Sequence, residues 1–214
     1  MRVAVVGGSG KEGFGLGVRW ARAGCTVIIG SRSADKAEEA ARRVAEISKS
    51  GEIQGLSNAA AVRHADVVVL TIPYSGHDPV LADIRPAVEG KPVVDTTVPL
   101  RRFAPPELDV PPEGSAAQHV QAYLPEAHVV AALHSVSSVK LNRFDDPMDG
   151  DVLLCGDDAD AKTAVGQLVQ MLGMRGLDAG PLHVAGTLER LAALIIGMNQ
   201  RYRRKAIGVR FTGI

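Results

Sequence analysis

The sequence has no excess of either charge, hardly any cysteine and no long apolar run, and each lack removes a class of function. Lys plus Arg and Asp plus Glu both number 24, so no net field recruits nucleic acid or an anionic membrane. Neither is an expected partner. Cys25 and Cys155 stand far apart inside apolar runs, the setting of small buried hydrophobes rather than of a disulfide or a metal site, and no metal is expected. No stretch of about 18 apolar residues occurs, and no basic segment precedes an apolar one at the N-terminus. The expectation is a soluble, cytoplasmic protein. Apolar residues make up 46% of the 214, enough for a core of one domain or one and a half.

Strand and helix signals alternate through the first two thirds. Arg2 to Val6 reads as a strand buried on both faces, and helical spacing runs from Gly10 to a stop at Gly24. Thr26 to Gly30 repeats the strand signal. The Ala-, Glu- and Arg-rich stretch after Ser33 predicts a solvated amphipathic helix. A weaker strand at Ile53 to Leu56 and a short helix at Asn58 to His64 lead into Asp66 to Ile72, apolar enough for a central strand. Pro73 stops it. A helix is predicted between Gly76 and Val88, a strand at Pro92 to Asp95, and a loop over the proline-rich Arg101 to Gly114. Ser115 with Gln118 forms a capping box for a helix to about Leu124, and His128 to Leu133 returns as a strand.

This alternation predicts an α/β fold, a doubly wound (Rossmann) parallel sheet with its ligand crevice at the carboxyl ends of the strands. Residues 1–144 are expected to form that dinucleotide-binding domain and 145–214 a small C-terminal α/β extension. The extension would hold a strand at Asp151 to Cys155, a helix at Ala161 to Leu172 and a last helix from about Ala185 to Arg204. Leu188, Leu191, Ile195, Met198 and Tyr202 share one face of that helix, which suits packing on the first domain or on a second subunit.

Gly8, Gly10 and Gly13 satisfy G-x-G-x-x-G between a predicted strand and a predicted helix. In that context the three glycines allow, in turn, a tight bend, backbone access for a pyrophosphate, and close packing of helix on sheet. The helix start supplies free N–H groups and a partial positive charge for phosphates. The second strand runs into Gly30, Ser31 and Arg32, where NAD-binding versions of the fold usually carry a carboxylate for the ribose 2′-hydroxyl. A 2′-phosphate suits a forked cation and a hydroxyl instead, with Lys36 a turn further on, so NADP(H) is the expected dinucleotide. Ile72 and Pro73 offer an apolar wall. His134 is a candidate for catalysis or for positioning, with no sequence-adjacent carboxylate to orient it. Tyr74, His77 and Asp95 read as loop or structural residues.

GGSGKEG, the GSR turn at Gly30 to Arg32, LTIP at Leu70 to Pro73, ALHSV at Ala132 to Val136, CGDD at Cys155 to Asp158, LDAGPL at Leu177 to Leu182 and the terminal NQRYRRKAIGVRFTGI together resemble the NADPH-dependent reductases of the deazaflavin coenzyme F420. The resemblance implies reversible hydride transfer between NADP(H) and coenzyme F420 as co-substrate, in a cleft between the two parts of the chain. It places Ser9, Lys11 and Glu12 beside the pyrophosphate or nicotinamide, and Ser31, Arg32 and Lys36 on the 2′-phosphate. Ile72, Pro73, His134 and Val136 would line the ring-stacking region, and the segment around Leu182 to Met198 would cover the deazaflavin and pair two subunits as a homodimer. The charged pair Lys11 and Glu12 departs from the neutral pair that family members often carry. Glu12 beside phosphates is unfavourable unless paired or turned away.

The sequence is also compatible with an NADPH-dependent reductase of another flavin, a reductase of small imines or keto acids, and a non-catalytic NADPH sensor. The imine-reducing type usually adds a large helical substrate domain and sets a catalytic Lys and Asn on one helix face. Here the chain after Gly150 is short, and Lys140 and Asn142 are two apart.

Overall fold

The computed structural model describes residues 1–214. In chain order the elements are β1 (Arg2–Val6), α1 (Lys11–Arg22), β2 (Thr26–Ser31), α2 (Ala34–Ser48), β3 (Ile53–Ser57), α3 (Asn58–His64) and β4 (Val67–Leu70). These are followed by α4 (His77–Ile84), β5 (Pro92–Asp95), β6 (Leu100–Arg102), β7 (Glu107–Leu108), α5 (Ala116–Tyr123) and β8 (His128–Ala132). The chain closes with α6 (Ser138–Leu141), β9 (Asp151–Gly156), α7 (Ala159–Met171), β10 (Arg175–Asp178) and α8 (Ala185–Arg201).

Eight strands form one sheet in the order β10-β9-β8-β5-β4-β1-β2-β3. All neighbours are parallel except β8 and β9. The expected doubly wound sheet is present, and the strand order reverses between β1 and β4, the place where such sheets leave a crevice. Side chains alternate across it as the pleat demands. Val3, Val5, Val67 and Val69 join Leu16, Val27 and Val44 on one face, while Val6, Val68 and Leu70 join Leu81, Ile84 and Val120 on the other.

The sheet does not stop at residue 145. β9 pairs with β8 and β10 with β9, so the last third of the chain extends the sheet of the first. Trp20 of α1, fully buried, donates its indole N–H to the Leu168 carbonyl of α7 at 3.0 Å. Truncating a buried side chain of this size costs about 3–5 kcal/mol. Arg19 of α1 instead ties that helix to α6 and the turn after it, donating to the carbonyls of Leu141 at 2.9 Å and Arg143 at 2.6 Å.

Several local expectations are corrected. Arg101 to Gly114 is not all loop: β6 and β7 pair as a short antiparallel ribbon, too short to show a period of two in sequence. The helix expected over Gly76 to Val88 is α4 with a single tight turn at each end. α8 stops at Arg201 rather than Arg204, and Arg203 takes a left-handed φ of 51° that ends the helical path. Beyond it the chain runs back as a strap along β9. Asp151 N–H donates to the Val209 carbonyl at 2.7 Å, and the Asp151 carboxylate accepts from Phe211 N–H at 2.5 Å.

Candidate dinucleotide-binding cleft

Strand register decides which residues meet at the crevice. Val6 pairs with Gly30 and with Leu70, Leu70 with Asp95, and Asp95 with Ala131, so the residues just past these positions share one edge of the sheet. That edge carries the glycine loop, Ser31 and Arg32, Thr71 to Pro73, Thr96 to Val98, and Leu133 to Val136.

The glycines are set by contact. Gly7 has a φ of 79°, and a Cβ there would lie 2.6 Å from Ile72 Cγ2. A Cβ on Gly8 would meet the Val5 carbonyl at 2.8 Å, and one on Gly13 would meet Thr71 Oγ1 at 2.5 Å. On Gly10 it would meet only the Gly7 carbonyl, at 3.3 Å, the least crowded of these four positions. Amides of Ser9, Lys11, Glu12 and Gly13 have no acceptor in the protein. Four free N–H groups at the positive end of a helix form a seat for a pyrophosphate.

Ser31 is buried at the end of β2, while Arg32 and Lys36 are exposed and have no carboxylate within ion-pairing distance. They lie outside the main cavity, next to the glycine turn by register. Among the other expected residues, Gly10, Lys11, Glu12, Ile72, Pro73, His134 and Val136 line a cavity of about 710 Å³, and Gly8, Ser9 and Gly13 do not.

Glu12 turns neither outward nor onto a cation. Burial pushes its carboxyl up to about 7, a hydrogen bond with Thr96 opposing the shift and the neighbouring Asp95 adding to it. A carboxyl that holds its proton near neutral pH removes the repulsion expected beside phosphates. Lys11 is exposed at the cavity wall, and its carbonyl accepts from Asn142 Nδ2 at 2.8 Å.

Beneath the cavity lies a polar cluster. His77 and Asp95, expected to be structural, are fully buried, and His77 Nε2 pairs with Thr97 Oγ1 at 2.9 Å. Asp95, His134 and Glu189 bring one ligand-type atom each within 4.8 Å of one another. Neither ring nitrogen of His134 has a partner, nor does Asp95 Oδ2. Burial pushes Asp95 up to about 7 and Glu189 to about 8, and holds His77 and His134 down at about 4. The imidazole is therefore neutral at pH 7, with one N–H and one lone pair, both buried near Asp95 and Glu189. Leu133, immediately before it, holds a φ of 69°, a left-handed value that costs a branched residue about 1–3 kcal/mol. This strain turns the chain off β8 toward the cavity.

Glu189 escaped the sequence reading, although it sits three residues before Ala192 on the buried face of α8, where a carboxylate is out of place. Other cavity residues that it did not place come from the ribbon, Leu100 and Phe103, from the end of α8, Asn199, and from the strap, Arg204, Lys205 and Ile207, while Ile195 and Ile196 fall within the expected Leu182 to Met198 segment. Gln200 Nε2 holds the ribbon to α8 through the Phe103 carbonyl at 2.6 Å.

A reversal of strand order, a glycine turn and a helix start with four unsatisfied amides define a Rossmann-type dinucleotide-binding protein. Residues 2–99 match the family model described as NADP oxidoreductase, coenzyme F420-dependent. The chain is 39% identical over its whole length to the F420-dependent NADP reductase of Methanocaldococcus jannaschii, covering 99% of that protein. It is 38% identical to the one from Methanothermobacter thermautotrophicus, all of this chain matching 96% of the relative. The chain belongs to the F420-dependent NADP reductase family. A crystal structure from Arthrobacter sp. FB24, provisionally described as an F420-dependent NADP reductase, shares the fold over 99% of both chains with a TM-score of 0.84 at 24% identity.

Proposed function

We propose that this protein transfers a hydride reversibly between NADP(H) and the deazaflavin coenzyme F420. The observation that carries the reading is the union of a phosphate seat at α1 with one continuous cavity that runs on to α8 and the strap. That union leaves room for a second planar ring beside the nicotinamide. The names of the full-length relatives agree with it.

Bound together, the two coenzymes supply the chemistry, a hydride passing directly between the nicotinamide C4 and the deazaflavin C5. The protein's part is positioning. Free amides of the glycine loop hold the pyrophosphate, and Ser31, Arg32 and Lys36 hold the 2′-phosphate. Ile72, Pro73 and Val136 wall the nicotinamide, with the neutral His134 ring beside them. Leu100, Phe103, Ile195 and Ile207 exclude water from the other side, which keeps the rings at near-attack distance without a general base. In this division residues 1–144 hold NADP(H), and 145–214 cover the deazaflavin.

The homodimer belongs to the same proposal. Leu194 and Tyr202 of the α8 region are 59% and 61% exposed, an apolar face suited to a second copy. No helix is long and apolar enough to cross a membrane, and both coenzymes are water-soluble, which supports a cytoplasmic site of action.

Asn142 argues against the imine-reducing alternative. Its Nδ2 is spent on the carbonyls of Lys11 and Ser138, at 2.8 and 2.7 Å, so it serves as a tie between α1 and α6. Anaerobic mixing with NADPH and, separately, oxidised F420, FMN, FAD, imines and keto acids tests the reading. Oxidation of NADPH is expected with F420. Consumption only with imines or keto acids would overturn it.

A further inference from the structure

The order of the strands separates the two ends of a bound dinucleotide. β1, which carries the glycine loop, lies between β2 on one side and β4, then β5, on the other. Ser31 and Arg32 stand at the end of β2, while Ile72 and Pro73 come after β4 and Thr96 after β5. A 2′-phosphate on Arg32 and a pyrophosphate on the loop therefore send the nicotinamide toward the ends of β4 and β5. The side chain of Glu12 goes the same way. It belongs to the first turn of α1, is half-buried at the cavity wall and hydrogen-bonds with Thr96, with Asp95 beside it.

Glu12 is the one carboxyl that lines the cavity. Asp95 and Glu189 are fully buried and stay off its wall, and His134 lines it as a neutral ring. The cations at the wall, Lys11, Arg204 and Lys205, form no ion pair with Glu12. Its charge is therefore free to answer a ligand. The nicotinamide ring is neutral in NADPH and carries a positive charge in NADP⁺. A cation close to a half-buried carboxyl favours the carboxylate. Burial, opposed by Thr96 and helped by Asp95, brings Glu12 to about 7, where a modest added field decides between acid and carboxylate. The pyrophosphate and the 2′-phosphate are common to both dinucleotides and act on Glu12 equally, so the ring charge is what differs.

We propose that Glu12 distinguishes the oxidised from the reduced dinucleotide, meeting the cationic ring of NADP⁺ as a carboxylate and the neutral ring of NADPH as a carboxylic acid. The proton that separates the two forms passes to solvent when NADP⁺ binds and stays on Glu12 when NADPH binds. Rising pH therefore tightens NADP⁺ relative to NADPH. This rests on the cavity taking NADP(H) as proposed above, with the nicotinamide over β4 and β5.

Dissociation constants of NADP⁺ and NADPH are measured without F420 from about pH 6 to about pH 9, with calorimetry in two buffers of unequal ionisation heat to count the protons exchanged. In the wild type the ratio of the NADPH constant to the NADP⁺ constant is expected to rise at least about tenfold over that range, the effect of a one-unit separation of Glu12 between the two complexes. NADP⁺ binding near neutral pH should release more protons than NADPH binding. In Glu12→Gln the ratio becomes flat and the difference in protons vanishes. Asp95→Asn keeps the slope but moves it to lower pH, because Asp95 no longer adds to the shift of Glu12. A flat wild-type ratio with equal proton exchange, or a slope that survives in Glu12→Gln, overturns the assignment while leaving the dinucleotide site intact. If neither dinucleotide binds, the site falls and the role of Glu12 with it. The calorimetry uses the wild-type protein, so a variant that fails to fold leaves the test standing.

Discussion

Gly13 approaches Thr71 so closely that a Cβ on the glycine would stand 2.5 Å from the threonine Oγ1. Thr71 cannot swing aside freely, because that hydroxyl donates to the Val6 carbonyl at 2.9 Å and ties β4 to β1. The start of α1 is thereby pressed against the sheet, which aims its free amides into the crevice. Gly13→Ala is expected to destabilise the fold by about 1–3 kcal/mol, the usual cost of overpacking, and to weaken NADPH binding. Urea unfolding and a dinucleotide titration measure the two effects. An unchanged midpoint with unchanged affinity would contradict the account of this contact.

Arg32 stands unpaired at the end of β2, next to Ser31. Arg32→Ala is expected to weaken NADPH by about tenfold or more, the worth of a charge-assisted hydrogen bond, and NADH by much less. Binding constants for both dinucleotides check it. Equal losses would remove Arg32 from the 2′-phosphate.

Much of this frame was legible in the sequence. β1, α1, β2 and β4 announce themselves because buried parallel strands are unbroken apolar runs and their helices keep a 3.6-residue period. The glycine pattern located the phosphate seat, yet it counts Gly8, Gly10 and Gly13, while the positive φ falls on Gly7. That turn depends on Ile72, a partner 65 residues away that no local pattern includes. β10, spelled RGLD, lacks strand propensity and exists because the edge of β9 offers it a ladder. The polar cluster under the cavity was invisible for the same reason: Asp95, His134 and Glu189 come from β5, the turn after β8, and α8.

That cluster links stability to pH. Glu12, Asp95 and Glu189 keep protons in the folded protein that the unfolded chain releases at about pH 4, since burial raises them to about 7, 7 and 8. Their contribution is full below the unfolded carboxyl range and is lost as pH rises through 7 and 8. His77 and His134, held at about 4, act in the opposite sense, and their contribution is lost as pH falls from about 6.5 toward 4. Above pH 6.5 only the carboxyls titrate among these five groups, so the ligand-free protein should lose stability from pH 6.5 to 8.5. Glu189→Gln should flatten the upper part of that decline. Urea midpoints across this range decide it, and a slope that Glu189→Gln leaves unaltered would contradict the assignment.

The strap is pinned at Asp151. Its carboxylate, held down at about 2 mainly by the Arg175 hydrogen bonds, receives Arg175 Nε at 2.9 Å and Phe211 N–H at 2.5 Å, and Arg175 in turn donates to the Phe211 carbonyl at 2.6 Å. Asp151→Asn removes the charge that organises these contacts. Tryptic cleavage within residues 201–210 should become several-fold faster, with the KM for F420 rising more than the KM for NADPH. Limited proteolysis followed by mass spectrometry measures the first, steady-state kinetics the second. Equal cleavage rates would show that the strap is held elsewhere.

The central claim is direct passage of hydride between two coenzymes stacked in one cleft. Anaerobic turnover of F420 with NADPH carrying deuterium on the transferred C4 position, followed by mass spectrometry of the reduced deazaflavin, tests it most directly. The account predicts one deuterium on the deazaflavin, retained when the reaction runs in ordinary water. A reduced deazaflavin without deuterium, or no reduction at all while imines or keto acids consume NADPH, would contradict it.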